Sequence, residues 1–258
     1  MQKSVVITGC SSGIGHAAAQ SLRACGYRVL ATCRKSADLQ RLTAEGFEAL
    51  LMDLDDAHSV EQAADQILSL TGHRLYALFN NAGYGVYGPL ASLSRQQLEQ
   101  QFASNFFGVH QLTRRLLPAM LPYGEGRIIQ TSSVMGLIAT PGRGAYAASK
   151  FALEAWSDAL RMELHGSGLH VCLIEPGPIS SAFTDNVNQS EPDRPVKNPG
   201  IAGRFTLPPE AILPKLRHAL ESPRPRARYP VTLVTHGMAF LRRILPDRCL
   251  DMILRPRH

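Results

Sequence analysis

The stretch Val5-Val6-Ile7-Thr8-Gly9-Cys10-Ser11-Ser12-Gly13-Ile14-Gly15 decides the fold. A β-branched run stops at a cluster of glycines and serines, and a helical pattern over residues 16–25 begins directly after it. That order predicts strand, tight turn, helix. Glycines let the chain turn sharply and bring its backbone against a pyrophosphate, while the helix start aims unpaired N–H groups at the anion. The spacing is Gly-x-x-x-Gly-x-Gly, which differs from the Gly-x-Gly-x-x-Gly form. Its place between the first strand and the first helix gives it weight; elsewhere the same residues would be an ordinary glycine-rich turn.

Outward from this turn, short apolar runs alternate with helical patterns. Strands are expected at 4–8, 28–32, 48–52, 76–80, 127–131 and 170–175, with a weaker seventh at 228–232. Helices are expected near 13–25, 36–45, 58–71, 94–121, 146–166 and 209–221. Strands separated by helices need crossover connections, which make a parallel sheet covered on both faces. The handedness of those crossovers favours an open sheet. The expected fold class is therefore α/β: a single doubly wound parallel sheet of about seven strands, Rossmann-like, with helices on both faces. Residues 1–258 would form one nucleotide-binding domain. It would carry a variable segment at 180–206 and a basic C-terminal extension at 223–258. Segment 180–206 is long for an irregular connection, as functional lids are; the plainer reading is a surface excursion.

Composition narrows the class. Of 258 residues, 45% are hydrophobic and 19% charged, which excludes disordered, collagenous and coiled-coil chains. No apolar run approaches the roughly 18 residues that span a bilayer. Cys10, Cys25, Cys33, Cys172 and Cys249 lack CxxC spacing, which argues against a disulfide framework and for a reducing compartment. Met1-Gln2-Lys3-Ser4 runs straight into the first strand without a signal-peptide pattern, so a cytoplasmic location is expected. The net charge of +6 is uneven: residues 214–258 hold ten basic and three acidic side chains, the first 213 hold 17 and 18. Such a tail suits nucleic acid, anionic lipid or a phosphorylated ligand, or is simply a solvated surface. No nucleic-acid-binding module accompanies it, and no nucleic-acid partner is expected.

A dinucleotide site needs a discriminator after the second strand. A carboxylate there would accept from a free ribose 2′-hydroxyl and repel a 2′-phosphate. The sequence reads Ala31-Thr32-Cys33-Arg34-Lys35, with cations instead. A guanidinium matches a phosphate dianion in shape and charge, so NADP(H) is expected over NAD(H), unless Arg34 is only a surface residue. Tyr146 and Lys150 lie four apart in Tyr-Ala-Ala-Ser-Lys and so share a helix face. An ammonium beside a phenol stabilises the phenolate and makes the hydroxyl a better proton donor and acceptor. Ser133 ends the fifth strand, where open α/β sheets bind ligands, and could hydrogen-bond a carbonyl oxygen. His16, His58, His73, His110 and His165 show no ligand spacing, and no metal is expected.

Together these residues resemble the short-chain dehydrogenase/reductase family across essentially the whole chain. The matching motifs are Thr8 to Gly15, Asp53-Leu54, Asn80-Asn81-Ala82-Gly83, Asn105, Ser133, Tyr146 to Lys150 and Pro176-Gly177. Within the family the chain is most similar to bacterial NADP-dependent aldehyde reductases, and more distantly to hydroxysteroid and retinol dehydrogenases. The resemblance implies that Tyr146 gives a proton to the substrate oxygen during reduction, that Lys150 binds the nicotinamide ribose and lowers the tyrosine pKa, and that Ser133 polarises the carbonyl. Asn105 would hold a water in a proton relay, or would be a structural helix-kink residue. Gly9, Ser11, Ser12, Gly13, Ile14 and Gly15 would hold the pyrophosphate end, with Ser11 and Arg34 meeting the 2′-phosphate. Asp53 would contact the adenine amino group, with Leu54 beside it in the cofactor site; Asn81, Ala82 and Gly83 would line the cleft. Pro176, Gly177, Ile179 and Ser181 would approach the nicotinamide. The family often has threonine where Ser181 stands, so one methyl is missing from that contact.

The implied substrate is a small-molecule carbonyl or alcohol. Tyr84, Val86, Tyr87, Val134, Met135, Leu137, Ile138, Ala182, Phe183, Val187 and Phe205 could form an apolar pocket for a hydrophobic aldehyde or ketone, or could be ordinary core. A steroid- or retinoid-like oxidation and a non-catalytic NADPH sensor are the competing readings. The stretch Met238 to Leu245 mixes apolar and basic residues and could touch a membrane surface or cover the cleft. Packing on its own subunit or a neighbour is the commoner use, and a homodimer or homotetramer is implied by the family.

Overall fold

The structure is a computed structural model that describes residues 2–180 and 205–255. Seven parallel strands form one sheet in the order β3-β2-β1-β4-β5-β6-β7. They are β1 (Ser4–Ile7), β2 (Arg28–Cys33), β3 (Glu48–Leu51), β4 (Ala77–Asn80), β5 (Gly126–Thr131), β6 (Leu169–Glu175) and β7 (Arg228–Pro230). Among the described residues the α-helices are α1 (Gly13–Ala24), α2 (Ser36–Ala44), α3 (Ala57–Thr71), α4 (Arg95–Phe102), α5 (Val109–Met120), α6 (Gly144–Glu163), α7 (Leu213–Glu221), α8 (Leu233–Ile244) and α9 (Asp247–Leu254). The expected doubly wound α/β architecture is the one found.

The strands read as continuous apolar runs because both faces are buried, and the two-residue period of a strand splits them between two cores. Val5, Ile7, Val29, Ala31, Phe79 and Ile129 face α1 and α7 through Ala18, Leu22, Leu216 and Leu220. Val6, Leu30, Leu78, Ile128 and Val171 face α3, α5 and α6 through Ile67, Leu112, Leu116 and Leu153. Two polar side chains tie α7 down: Tyr76 donates its hydroxyl to the Leu220 carbonyl at 2.6 Å, and the buried Arg127 donates to Ala219 and Ser222 carbonyls. Each closes off a helix-terminal carbonyl that burial would otherwise leave unpaired.

β1 pairs with both β2 and β4, so the chain winds outward in opposite directions from it. The carboxyl ends of β1 and β4 therefore flank a topological switch point, where a crevice opens between diverging connections. The glycine-rich turn leaves β1 there, and Asn81-Ala82-Gly83 leaves β4 there.

Two readings of the chain are refined. The helix expected over 94–121 is interrupted by a π-helical turn, Ala103–Gly108, between α4 and α5. The weak strand at 228–232 ends at Pro230, because the Thr232 hydroxyl accepts from the Thr235 N–H and caps α8. Leu207 and Pro178–Ser180 exchange backbone hydrogen bonds of 2.9 and 3.1 Å, so the two ends of segment 180–206 meet. Among the described residues no helix is long and apolar enough to cross a membrane.

Candidate active site

The turn after β1 is built by close backbone approach. Gly9 and Gly13 sit at φ +73° and +56°, conformations that side chains rarely adopt. A Cβ on Gly9 would lie 2.8 Å from Ala82 Cα; one on Gly15 would lie 2.1 Å from the Gly9 carbonyl oxygen. Thr8 Oγ1 accepts from the Asn81 and Ala82 N–H groups at 2.9 and 2.8 Å, and Asn81 Nδ2 donates to the Thr8 carbonyl at 3.0 Å. The two motifs are thus one unit. Ser12, which precedes α1, makes no side-chain capping hydrogen bond, and the first turn of α1 holds no acid. Its leading N–H groups remain available to an anion. Ser11, Ser12, Gly13 and Ile14 surround that helix start.

Arg34 is exposed just beyond β2, and its charge reaches Asp55 and Tyr84. Burial and the neighbouring Asp53 push the Asp55 carboxyl up, while Arg34 and a Ser104 hydrogen bond pull it down. Asp53 accepts from the Asp55 N–H at 3.1 Å and holds the turn after β3. Leu54 is buried beneath it, with its carbonyl oxygen 2.3 Å from where a Cβ on Gly108 would sit. Arg41, which the sequence did not single out, donates to the Ser11 carbonyl at 2.5 Å and pairs with Glu45, itself bridged to His16.

Ser133 follows β5, Tyr146 opens α6, and Lys150 lies one turn further on; the structure brings them together. The Ser133 side chain hydrogen-bonds Tyr146 and accepts from the Met135 N–H at 3.1 Å. Lys150 is buried and donates to the Thr131 carbonyl at 2.6 Å, its Nζ 5.7 Å from the centre of the Tyr146 ring. Burial pushes the Tyr146 phenol up and Tyr87 adds to this, whereas the Ser133 hydrogen bond and the Arg143 guanidinium pull it down. The downward pull expected from Lys150 is not among these causes, and its ammonium donates to the Thr131 carbonyl of β5. The lysine itself is pushed down to about 8 by burial, and Glu154 opposes the fall.

Asn105 lies in the π-helical turn with its amide engaged. Oδ1 accepts from the Tyr84 N–H at 3.0 Å, and Nδ2 donates to the Tyr84 carbonyl at 2.9 Å and Ser149 Oγ at 3.2 Å. The side chain splints the segment after Gly83. Pro176 accepts from the Val134 N–H at 2.8 Å, which fixes the Ser133 turn. Gly177 faces Thr232, where a Cβ would meet the hydroxyl at 2.1 Å, and Ile179 is buried beside Leu207. Ser181, Ala182, Phe183 and Val187 lie outside the described residues.

Of the expected apolar lining, Val134, Met135, Ile138 and Tyr87 cluster around Tyr146. Tyr84 and Val86 are tied to the helix opposite: the Tyr84 hydroxyl donates to the Gln100 carbonyl and Val86 N–H to Gln101 Oε1, both at 2.6 Å. The cluster is completed by Met238, Leu241, Leu250 and Leu254 of α8 and α9. Only the helical spacing of the apolar residues near 238–245 hinted at these.

The short chain dehydrogenase family model matches residues 3–192. The chain belongs to this family. It is 64% identical over 255 residues to the uncharacterized oxidoreductase YbbO of Escherichia coli, covering 99% of this chain and 95% of that protein. It is 34% identical over 272 residues to the NADPH-dependent 3-dehydrocapnine reductase of Ornithobacterium rhinotracheale, covering 96% and 94%. A short-chain dehydrogenase structure from Streptomyces avermitilis superposes with a TM-score of 0.81 at 27% identity, covering 98% of this chain and 93% of that one. As a short chain dehydrogenase the chain is an NAD(P)-dependent oxidoreductase acting on small molecules.

Proposed function

We propose that this oxidoreductase uses NADP(H) to reduce a hydrophobic aldehyde or ketone to its alcohol, with Tyr146 as proton donor. The observation that carries the reading is the convergence of Ser133, Tyr146 and Lys150 at the carboxyl ends of the central strands, inside an apolar cluster. A pure cofactor sensor needs neither the Ser133 hydroxyl nor a proton donor at Tyr146.

The residues fit the cofactor. Glycines stand where backbone meets backbone, and the first turn of α1 lacks a side-chain cap, which suits a pyrophosphate. Gly9, Ser11, Ser12, Gly13, Ile14 and Gly15 would hold that group, Arg34 the 2′-phosphate, Asp53 and Leu54 the adenine. Asn81, Ala82 and Gly83 would line the cleft, and Pro176, Gly177, Ile179 and Ser181 would meet the nicotinamide. Bound there, the cofactor supplies the hydride. Ser133 orients the carbonyl by hydrogen bonding its oxygen, and Tyr146 delivers the proton to that oxygen. Lys150, one helical turn from the phenol, would hold the nicotinamide ribose. Asn105 keeps the wall of the cleft in register through Tyr84. Val134, Met135, Ile138 and Leu250 exclude water and favour an apolar substrate. The named activity of the NADPH-dependent relative supports both the cofactor and the direction.

The test is NADPH oxidation with a panel of aliphatic and aromatic aldehydes and ketones, read against NADH and against NADP-dependent oxidation of steroid and retinoid alcohols. Carbonyl reduction favouring NADPH is expected. Faster alcohol oxidation would favour the dehydrogenase reading, and NADPH binding without any turnover would favour a sensor. A homodimer or homotetramer in a cytoplasmic setting is the assembly proposed by family analogy.

A further inference from the structure

One helical turn from Lys150 begins a partly buried ionic cluster that the reaction above leaves unused. Glu154 stands one helical turn along α6, and its Oε2 is 3.0 Å from Arg228 Nε on β7. Arg228 also reaches Asp158 Oδ2 at 2.7 Å and Glu175 Oε1 at 3.4 Å. Glu175 is the last residue of β6, directly before Pro176-Gly177, and is 1% exposed. Arg161 pairs with Asp158 at 2.9 Å. From the remaining elements, Ser132 after β5 lies against Glu154, and the Arg243 charge on α8 reaches Glu175. Glu154, Asp158 and Glu175 thus share the Arg228 guanidinium, and the Lys150 ammonium stands one helical turn from Glu154. A buried charge left without its partner is costly, so the protonation states of the group are linked.

We propose that Glu154 is a positioning residue: clamped by Arg228 one turn from Lys150, it holds that lysine as an ammonium and so sets the alkaline limit of turnover. This rests on the proposed reductase reading. Burial drives Lys150 toward its neutral form, and Glu154 is the charge that opposes it. Burial likewise pushes the Glu154 carboxyl up and Asp158 adds to this, while Ser132 and Arg228 pull it back down. Arg228 therefore acts on the lysine through Glu154. If Glu154 merely stapled α6 to β7, its loss would lower activity without moving a pH midpoint.

The experiment is kcat/KM for NADPH-dependent reduction against pH, using a carbonyl that the wild type turns over, for wild type, E154Q, E154D and S157A. Ser157 is a buried residue on the same helix and serves as the packing control. For E154Q the alkaline midpoint is expected about one pH unit below that of the wild type, from the loss of one nearby charge. E154D should fall between them, and S157A should superimpose on the wild type. An E154Q profile lowered by one factor at every pH, with its midpoint unmoved, overturns the proposal. If E154Q does not fold, the same criterion applies to E154A, which also removes the charge. A wild type that reduces no carbonyl defeats the reductase reading, and this inference with it; an active wild type whose limb E154Q leaves in place defeats this inference alone.

Discussion

Arg34 stands exposed at the end of β2, where its charge is felt by Asp55 and Tyr84. A guanidinium on a phosphate dianion is worth about 1.5–3 kcal/mol, so Arg34→Ala should weaken NADPH binding roughly 10- to 100-fold. NADH, lacking the phosphate, should change by less than about twofold; fluorescence titration of both cofactors checks this, and equal losses would mean the arginine does not read the phosphate. Glu175 offers a pH test at the same scale. Burial, with Glu154 nearby, pushes its carboxyl up to about 7. A folded-state value above the unfolded one stabilises the protein at low pH, and that contribution is lost as pH rises through the folded value. Glu175→Gln removes the group, so its stability relative to wild type should rise by about 2 kcal/mol from pH 5 to pH 8, measured by urea unfolding. Tyr146, Lys150 and Ser133 were legible because their spacing and place in the strand–helix order are local. Arg228 was not, since it meets Glu154 across 74 residues of chain.

At the scale of elements, β1, its turn and α1 form a unit whose glycines are dictated by contact. Gly15→Ala would press a methyl onto the Gly9 carbonyl, and overpacking against backbone should cost about 2 kcal/mol or more and impair cofactor binding. Gly237, inside α8, faces open space, so Gly237→Ala should be neutral or stabilise by about 0.5–1 kcal/mol. Urea unfolding of both variants separates a contact glycine from a tolerated one. The first strand–turn–helix unit could be read from sequence because hydrophobic period and turn residues change together at Gly9. The interruption at Ala103–Gly108 could not, because the apolar pattern runs on while Asn105 fixes the backbone through Tyr84, a residue from another segment. The pairing of α8 with α9 was equally hidden: each packs one narrow face, and Leu250 meets Tyr146 only in three dimensions.

On the scale of the whole molecule, the doubly wound sheet gathers side chains from across the chain at one edge. The turn after β1, Asn81 after β4, Ser133 after β5 and Gly177 after β6 all leave the carboxyl ends of parallel strands. The strand pattern alone predicts that gathering, because crossover connections place every such end on the same side. The apolar walls depend on how the last helices fold back, which no local pattern dictates. What the assembly is proposed to accomplish is proton delivery by a buried phenol beside a hydride source. The most direct test is Tyr146→Phe, assayed for NADPH-dependent carbonyl reduction and, separately, for NADPH affinity. Loss of a positioned general acid should lower kcat at least about 100-fold, while the dissociation constant for NADPH stays within about threefold. A variant that reduces the carbonyl at close to the wild-type rate would contradict the account.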